Sequence, residues 1–243
     1  MNILILTGAG ISAESGIPTF RDADGLWEGH AVEEVATPQG FARNPELVHQ
    51  FYNERRRALL SETIQPNAAH VALADFEREL LSDPRVSNQR CDFLLVTQNI
   101  DDLHARAGSQ NVLPMHGELL KARCLYTEAL FDWRDDLGTD TPHPDNPDDE
   151  SMRGCLRPHV VWFGEMPIGL SKIEQAAANA DVFIAIGTSG LVYPAAGIVQ
   201  QTKPQCRKIE INLDDTPASA AFDETIRGRA SEEVPRLLRE LSN

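Results

Sequence analysis

Residues 3–13 read Ile-Leu-Ile-Leu-Thr-Gly-Ala-Gly-Ile-Ser-Ala, an apolar strand that runs directly into two closely spaced glycines and a helix start. A strand ending in glycines before a helix seats a dinucleotide pyrophosphate on backbone N–H groups, and it fits a parallel α/β sheet with its ligand at the strand ends. Gly8 is read as permitting the tight turn and Gly10 as letting the backbone approach phosphate. Ala13 is read as the small residue at which helix and strand pack closely. An ordinary glycine turn is the competing reading. Hydride-transferring domains of this kind carry an acidic residue about twenty positions further on to hold a ribose. Residues 17–27 instead form a Pro- and Gly-punctuated loop, so a dehydrogenase does not follow.

Further short apolar runs recur at 93–97, 182–187 and 208–212, with helical patterns at about 68–81, 171–180 and 231–241. Buried strands alternating with helices predict a Rossmann-like parallel sheet with helices on both faces. Two stretches break the rhythm. Residues 28–66 read as helices, one of them capped by Asn44 with Pro45 at its first position. Residues 119–156 contain a Pro- and Asp-rich tract over 138–150, expected to be a solvated, mobile loop. The expected division is a nucleotide-binding domain of residues 1–27, 67–118 and 157–243, with a small lobe of residues 28–66 and 119–156.

A net charge of −15, from 22 basic and 37 acidic residues, disfavours nucleic acid and suits a basic protein or peptide, or simply solubility. No signal or membrane segment is recognisable, and the cysteines, Cys91, Cys124, Cys155 and Cys206, are too sparse for a disulfide scaffold. The expected compartment is the cytoplasm and the expected state a monomer that binds no membrane.

The polar side chains at the strand ends carry the chemistry. Gln98, Asn99 and Asp101 follow the strand at 93–97 and offer directed hydrogen bonds to an amide and to ribose hydroxyls. His116, in Met115-His116-Gly117, titrates near neutrality and is a candidate base. Each fragment alone also reads as a polar loop. Together, in this order, Gly8-Ala9-Gly10-Ile11-Ser12, Ile17-Pro18-Thr19-Phe20-Arg21, Thr97–Asp101, His116-Gly117, Val161-Trp162-Phe163-Gly164-Glu165 and Gly187-Thr188-Ser189 resemble the sirtuins, NAD-dependent protein-lysine deacylases. The resemblance implies that Gly8, Ala9, Gly10, Ile11, Ser12, Phe20, Arg21, Trp27, Gln98, Asn99, Ile100, Asp101, Gly187, Thr188 and Ser189 hold NAD. Asn212, Leu213, Asp214 and Ala230 would lie near the adenosine end. It implies that His116 is the general base and that Val161, Trp162, Phe163 and Gly164 pair with the substrate peptide as an added strand. In that chemistry nicotinamide leaves as the acyl oxygen attacks the ribose, and the acyl group passes to ADP-ribose, with Phe20 shielding the reacting ribose.

The helix after Pro45 bears on the acyl group independently. At about 100° per residue, Val48, Phe51, Tyr52 and Leu59 form an apolar stripe. On this reading Arg55 lies in its middle, Arg56 toward its edge, and Arg57 faces away. A guanidinium in an apolar stripe needs an anion. Tyr52 and Arg55, three apart, offer a hydroxyl and a bidentate fork to a carboxylate; an internal ion pair is the alternative. Tyr52-Asn53-Glu54-Arg55 also matches the Tyr-x-x-Arg pattern of class III, CobB-type bacterial sirtuins, which implies succinyl- and malonyl-lysine substrates, with acetyl-lysine as well.

One family feature is eroded. Sirtuins generally carry a four-cysteine zinc module built from two Cys-x-x-Cys pairs. Here the pairs read Cys124-Leu125-Tyr126-Thr127 and Met152-Arg153-Gly154-Cys155, so one thiol survives from each. His143 and nearby Asp residues stand at no familiar spacing, and the expectation is that no working zinc site exists. Cys91 and Cys206 read as small buried hydrophobes. The rival functions are a mono-ADP-ribosyltransferase on the same scaffold and a non-catalytic NAD or ADP-ribose sensor.

Overall fold

The computed structural model describes residues 1–19, 26–27, 29–82 and 92–242. Phe20, Arg21 and Cys91 lie outside the described residues. Six parallel strands form the main sheet: β1 (Ile3–Thr7), β4 (Phe93–Thr97), β5 (Val112–Pro114), β9 (Val182–Ile186), β10 (Arg207–Asn212) and β11 (Glu224–Arg227). They lie side by side in the order β11-β10-β9-β1-β4-β5. The chain order therefore reverses between β1 and β9, where a doubly wound sheet opens its ligand crevice.

Period two explains why the strands are apolar throughout. Ile3, Ile5, Leu95, Ile184 and Ile211 point to one face, under helices α5 (Ala68–Ser82) and α8 (Ala230–Leu241). Leu4, Leu6, Val96, Phe183 and Ala185 point to the other, under α7 (Leu170–Asn179). The longer strands and these helices fall where the sequence places them. The edge strands β5 and β11 are three and four residues long and too short to register as apolar runs.

A second sheet is antiparallel, in the order β7-β6-β8, from β6 (Gly117–Cys124), β7 (Leu130–Asp132) and β8 (Leu156–Val160). The domain boundary expected at 118/119 thus falls inside β6. Helices α2 (Val32–Val35), α3 (Pro38–Arg43) and α4 (Pro45–Leu59) share a core with it that includes Val35, Val48, Phe51, Leu119, Val160 and Trp162. As expected, Asn44 caps α4 by accepting the Leu47 N–H at 3.1 Å, with Pro45 at the first position. The remaining elements are the ribbon of β2 (Leu26–Trp27) and β3 (His30–Ala31) and the short helices α1 (Ala9–Ala13) and α6 (Leu103–Ala107).

The face of α4 differs from the helical-wheel reading. Arg56, placed toward the stripe edge, is fully buried, whereas Arg55 is only half-buried. The helix packs on both the α2–α3 core and the antiparallel sheet, so its buried arc is wider than its apolar stripe. His49, Asn53 and Arg56 form a second buried ridge along it. Arg56 donates to Leu119 O (3.1 Å), Asn53 Oδ1 (2.7 Å) and Asp135 O (3.2 Å), and burial lowers its pKa to about 10. Arg57 points outward to Asp136, as expected. Hydrogen bonds to a charged group contribute about 1.5–3 kcal/mol each, whereas an exposed ion pair contributes about 0–1 kcal/mol. Urea unfolding should therefore show Arg56→Ala losing at least about 3 kcal/mol and Arg57→Ala under about 1 kcal/mol. Equal losses would show that the Arg56 bonds are not what ties α4 to β6.

Candidate active site

The carboxyl ends of β1, β4, β9 and β10 converge on one cleft, and the glycines make the convergence possible. The Gly10 N–H donates to Gly187 O at 2.8 Å, and the Gly8 N–H to Ile186 O at 2.9 Å. A Cβ on Gly10 would stand 2.7 Å from Gly187 Cα, and one on Gly8 would stand 2.7 Å from Gly187 O. Gly187 itself has φ +61°. Gly8 has φ −123°, a conformation open to any residue, so backbone proximity rather than turn geometry requires glycine there. Two further readings change. Ala13 is exposed to the cleft and is not the contact between helix and strand, and Ile11 is fully buried in the sheet core, off the cleft wall.

Beneath the glycines lies a directional polar network. The Asn67 N–H donates to His70 Nδ1 (3.3 Å), so the neutral ring carries its hydrogen on Nε2, which faces Ser12 Oγ at 3.4 Å. Ser12 in turn donates to Asp101 Oδ2 (2.9 Å), and Asn99 Nδ2 donates to both Ser12 Oγ and Gly8 O (3.1 Å each). Burial raises the Asp101 pKa, opposed by its bonds from the Leu103 N–H and Ser12. Burial lowers His70 to about 4 and the neighbouring His104 to about 3, so both are neutral. Sequence reading missed Asn67, His70 and His104. The available signal was a histidine on the apolar face of α5, between Ala69 and Leu73.

His116 enters from the loop between β5 and β6, half-buried. Its Nδ1 is 3.0 Å from Gln98 O; a carbonyl only accepts, so Nδ1 carries the hydrogen and Nε2 holds the lone pair. Burial lowers its pKa, and the Gln98 bond raises it in part. This is the form and tautomer a base requires.

The residue 161–164 segment runs beside it. Val161 N–H donates to His116 O (2.8 Å), Phe163 N–H to Ala36 O (2.9 Å) and Trp162 N–H to Glu165 (2.8 Å). Arg157, almost wholly buried, grips Glu165 in a bidentate pair (2.7 and 2.9 Å) and lies 3.4 Å from the Trp162 ring centroid. The indole N–H of Trp162 donates to Tyr52 Oη at 2.9 Å. The Arg55 guanidinium rests 3.2 Å from the Phe51 centroid and 5.4 Å from that of Trp27, and donates to Phe51 O (2.6 Å).

The cleft measures about 760 Å³. It is lined by Gly8, Ala9, Gly10, Ser12, Trp27, Tyr52, Arg55, Gln98, Asn99, Ile100, Asp101, His116, Val161, Trp162, Phe163, Gly164, Gly187, Thr188, Ser189, Asn212, Leu213, Asp214 and Ala230. Asn212 is held by its bond to Thr188 O (2.7 Å), which joins the ends of β9 and β10. Val192, Tyr193 and Thr216 also line it, and nothing in their local sequence marked them.

Apart from the cleft, Cys124, Cys155 and His143 form a buried group with ligand atoms within 4.8 Å of one another. The tract expected to be solvated therefore buries His143. The two sulfurs are 3.7 Å apart; hydrogen bonds from Thr127 and Tyr126 outweigh burial and lower the Cys124 pKa, while burial raises that of Cys155. Asp145 N–H donates to His143 Nδ1 (3.2 Å), which leaves the hydrogen on Nε2, a nitrogen without a partner. Cys206 is buried, as expected.

Comparison with known proteins decides the family. Residues 8–194 match the Sir2 family model. The chain belongs to the Sir2 family. It is 77% identical over 242 residues to an NAD-dependent protein deacylase of Rhodopirellula baltica, covering all of this chain and 99% of that one. It is 54% identical to a protein of the same name from Bdellovibrio bacteriovorus, covering 98% and 95%. Among solved structures it superposes on a Sir2 homologue in complex with NAD with a TM-score of 0.81 at 40% identity, covering 99% of this chain and 89% of that one. A Sir2 complex with a p53 peptide and NAD gives 0.77 at 30% identity, covering 99% and 93%.

In this Sir2 chain the meeting of Gly10 and Gly187 is backbone against backbone, with no flexible side chain to yield. Gly10→Ala should cost about 1–3 kcal/mol by overpacking. Gly197→Ala, whose Cβ would find its nearest neighbour at 3.5 Å, should stay within about 0.5 kcal/mol of the parent. Denaturant midpoints compare the two, and similar values would show that the strand ends can separate freely.

Proposed function

We propose that this chain removes acyl groups from protein lysines using NAD as co-substrate, releasing nicotinamide, O-acyl-ADP-ribose and free lysine. The observation that carries the reading is His116, its lone pair fixed on Nε2, on a cleft wall shared with Asn99, Asp101 and the 161–164 segment. NAD supplies an electrophilic ribose carbon when its nicotinamide departs. Gly8, Gly10 and Gly187 to Ser189 bind its phosphates and ribose, and Asn212, Leu213, Asp214 and Ala230 its adenosine end. Asn99 and Asp101 hold the nicotinamide end, oriented through Ser12. His116 Nε2 accepts the proton relayed from the ribose hydroxyls. The peptide adds as a strand beside Val161 to Gly164. Because the N–H groups of Val161, Trp162 and Phe163 and the Trp162 carbonyl are bonded within the chain, it docks mainly on the other carbonyl oxygens and Gly164.

The acyl groups favoured are succinyl and malonyl, with acetyl also accepted. Tyr52 and Arg55 both reach the cleft wall, and the aromatic faces and the Phe51 carbonyl set the guanidinium there. The partners are acyl-lysine proteins, the chain acts as a monomer, and the compartment is the cytoplasm. Among the described residues no helix is long and apolar enough to cross a membrane.

Incubation with a succinyl-lysine peptide and NAD tests the whole reading by mass spectrometry. The acyl mass should leave the peptide; a gain of ADP-ribose would mean transferase chemistry instead. His116→Ala should lower the rate about 10²- to 10⁴-fold while NAD still binds. The depressed pKa of His116 keeps the base form populated below the ordinary value of 6.5. The acid limb of kcat/KM should accordingly fall below pH 6.5, and an inflection above it would remove His116 from the role.

A charged contact in a largely dry channel is worth about 2–5 kcal/mol when one partner is removed. Arg55→Met should lower desuccinylation roughly 30-fold or more relative to deacetylation. Equal losses would make Arg55 a structural residue.

The donor set does not fit the family's zinc. A closed structural site takes four ligands, whereas among the described residues two sulfurs and one imidazole converge here, one ligand short. The lobe has its own apolar core, where Met152, Phe131 and Trp133 pack on Ala122, Leu137 and Leu156. Purified protein should hold well under one zinc per chain and keep its Tm in a chelator. Stoichiometric zinc with unfolding on chelation would overturn this.

A further inference from the structure

We infer that Trp162 is the positioning residue for acyl selectivity, through its indole rather than through the strand that pairs with peptide. The inference rests on the acidic-acyl reading above and adds a residue to it. Tyr52 is wholly buried within the wall of the cleft, and its hydroxyl both donates and accepts. Trp162 Nε1–H, a donor with no acceptor capacity, reaches Tyr52 Oη at 2.9 Å and occupies its accepting side. What remains to the phenol is its own proton. A buried O–H so arranged serves an acceptor-only group such as a carboxylate and offers nothing to a ligand donor.

The indole is itself fixed on three sides. Its backbone N–H is held by Glu165, the Arg157 guanidinium covers one face at 3.4 Å, and Phe41 packs at a centroid distance of 5.2 Å. Arg157 is locked in turn by its bidentate pair with Glu165 and by Val160 O. A cation over the ring draws electron density from it and strengthens the N–H as a donor. The tyrosine is thus polarised as a donor from a charged pair that stands behind the tryptophan.

Two variants and one spectrum test this. Trp162→Phe keeps a ring under Arg157 and loses the N–H; Tyr52→Phe loses the hydroxyl. Each should lower the succinyl-to-acetyl ratio of kcat/KM about tenfold, carried by the succinyl KM. The double variant should fall no further than the larger single, because both delete one interaction. In ¹⁵N spectra the Trp162 indole resonance, one of three, should move upfield in Tyr52→Phe. Multiplying effects in the double variant, an unchanged ratio in Trp162→Phe, or an unmoved indole resonance would each overturn the inference. Should Trp162→Phe fold poorly, the Tyr52→Phe spectrum decides alone. A wild-type enzyme without succinyl preference fails the acyl reading and the inference together. A preference that survives Trp162→Phe fails the inference only.

Discussion

Everything at the cleft depends on two strand ends brought closer than side chains allow. β1 and β9 are neighbours in a parallel sheet, and their continuations touch at Gly10 and Gly187. With the backbones in contact there, the Gly8 carbonyl is presented to Asn99, which reaches across from the end of β4. Asn99 in turn fixes Ser12, and Ser12 fixes Asp101. The crevice at a topological switch point is a general consequence of the winding. Its floor in this chain is set by which residues have no Cβ.

A second constraint is the use of buried guanidinium groups as cross-braces. Arg56 and Arg157 are both almost inaccessible, and a buried charge is tolerated only when hydrogen-bonded or paired. Arg56 spends its donors on carbonyl oxygens of β6 and of the loop beyond β7, which fastens α4 to the small sheet. Arg157 spends its donors on Glu165 and Val160, which closes the 161–164 turn on the end of β8. Tyr52 projects from the first brace and Trp162 from the second. The hydrogen bond between them therefore joins two elements already held rigid, and its direction is set before any ligand arrives.

Much of this was legible in the sequence. Apolar runs of five or six residues marked the central strands, because a strand buried on both faces has no alternative composition. The glycine pair, the Asn44–Pro45 cap and the order of the polar clusters located the cleft. What escaped had physical reasons. The helical wheel placed Arg55 at the centre of α4's buried face because it counts only apolar residues; packing on two sides buried the polar ridge through Arg56 instead. Ala13 and Gly8 were given roles by motif geometry, whereas the contact that matters is that of Gly8 and Gly10 with Gly187, which lies 177 residues beyond Gly10 at the end of a strand no local pattern connects to them. The Pro- and Asp-rich tract read as a solvated loop able to bury little, and most of it is exposed, yet its turns carry His143 against two cysteines.

The cleft is organised by proton placement more than by net charge. Asn67 forces hydrogen onto His70 Nε2, and from there donors run through Ser12 to Asp101, so this carboxylate meets donors from the protein side. Gln98 O forces hydrogen onto His116 Nδ1, which leaves a lone pair toward the cleft. Trp162 fills the accepting side of Tyr52, which leaves a donor toward the cleft. In each case a group that can only donate or only accept removes the ambiguity of one that can do both. Burial assists by holding His70 neutral, because a charged imidazole would carry a hydrogen on Nδ1 as well and could no longer accept the Asn67 N–H that anchors the network. A site wired this way needs no reorganisation of its hydrogens as a ligand enters, and that readiness is the general source of electrostatic catalysis and selectivity in a dry cleft.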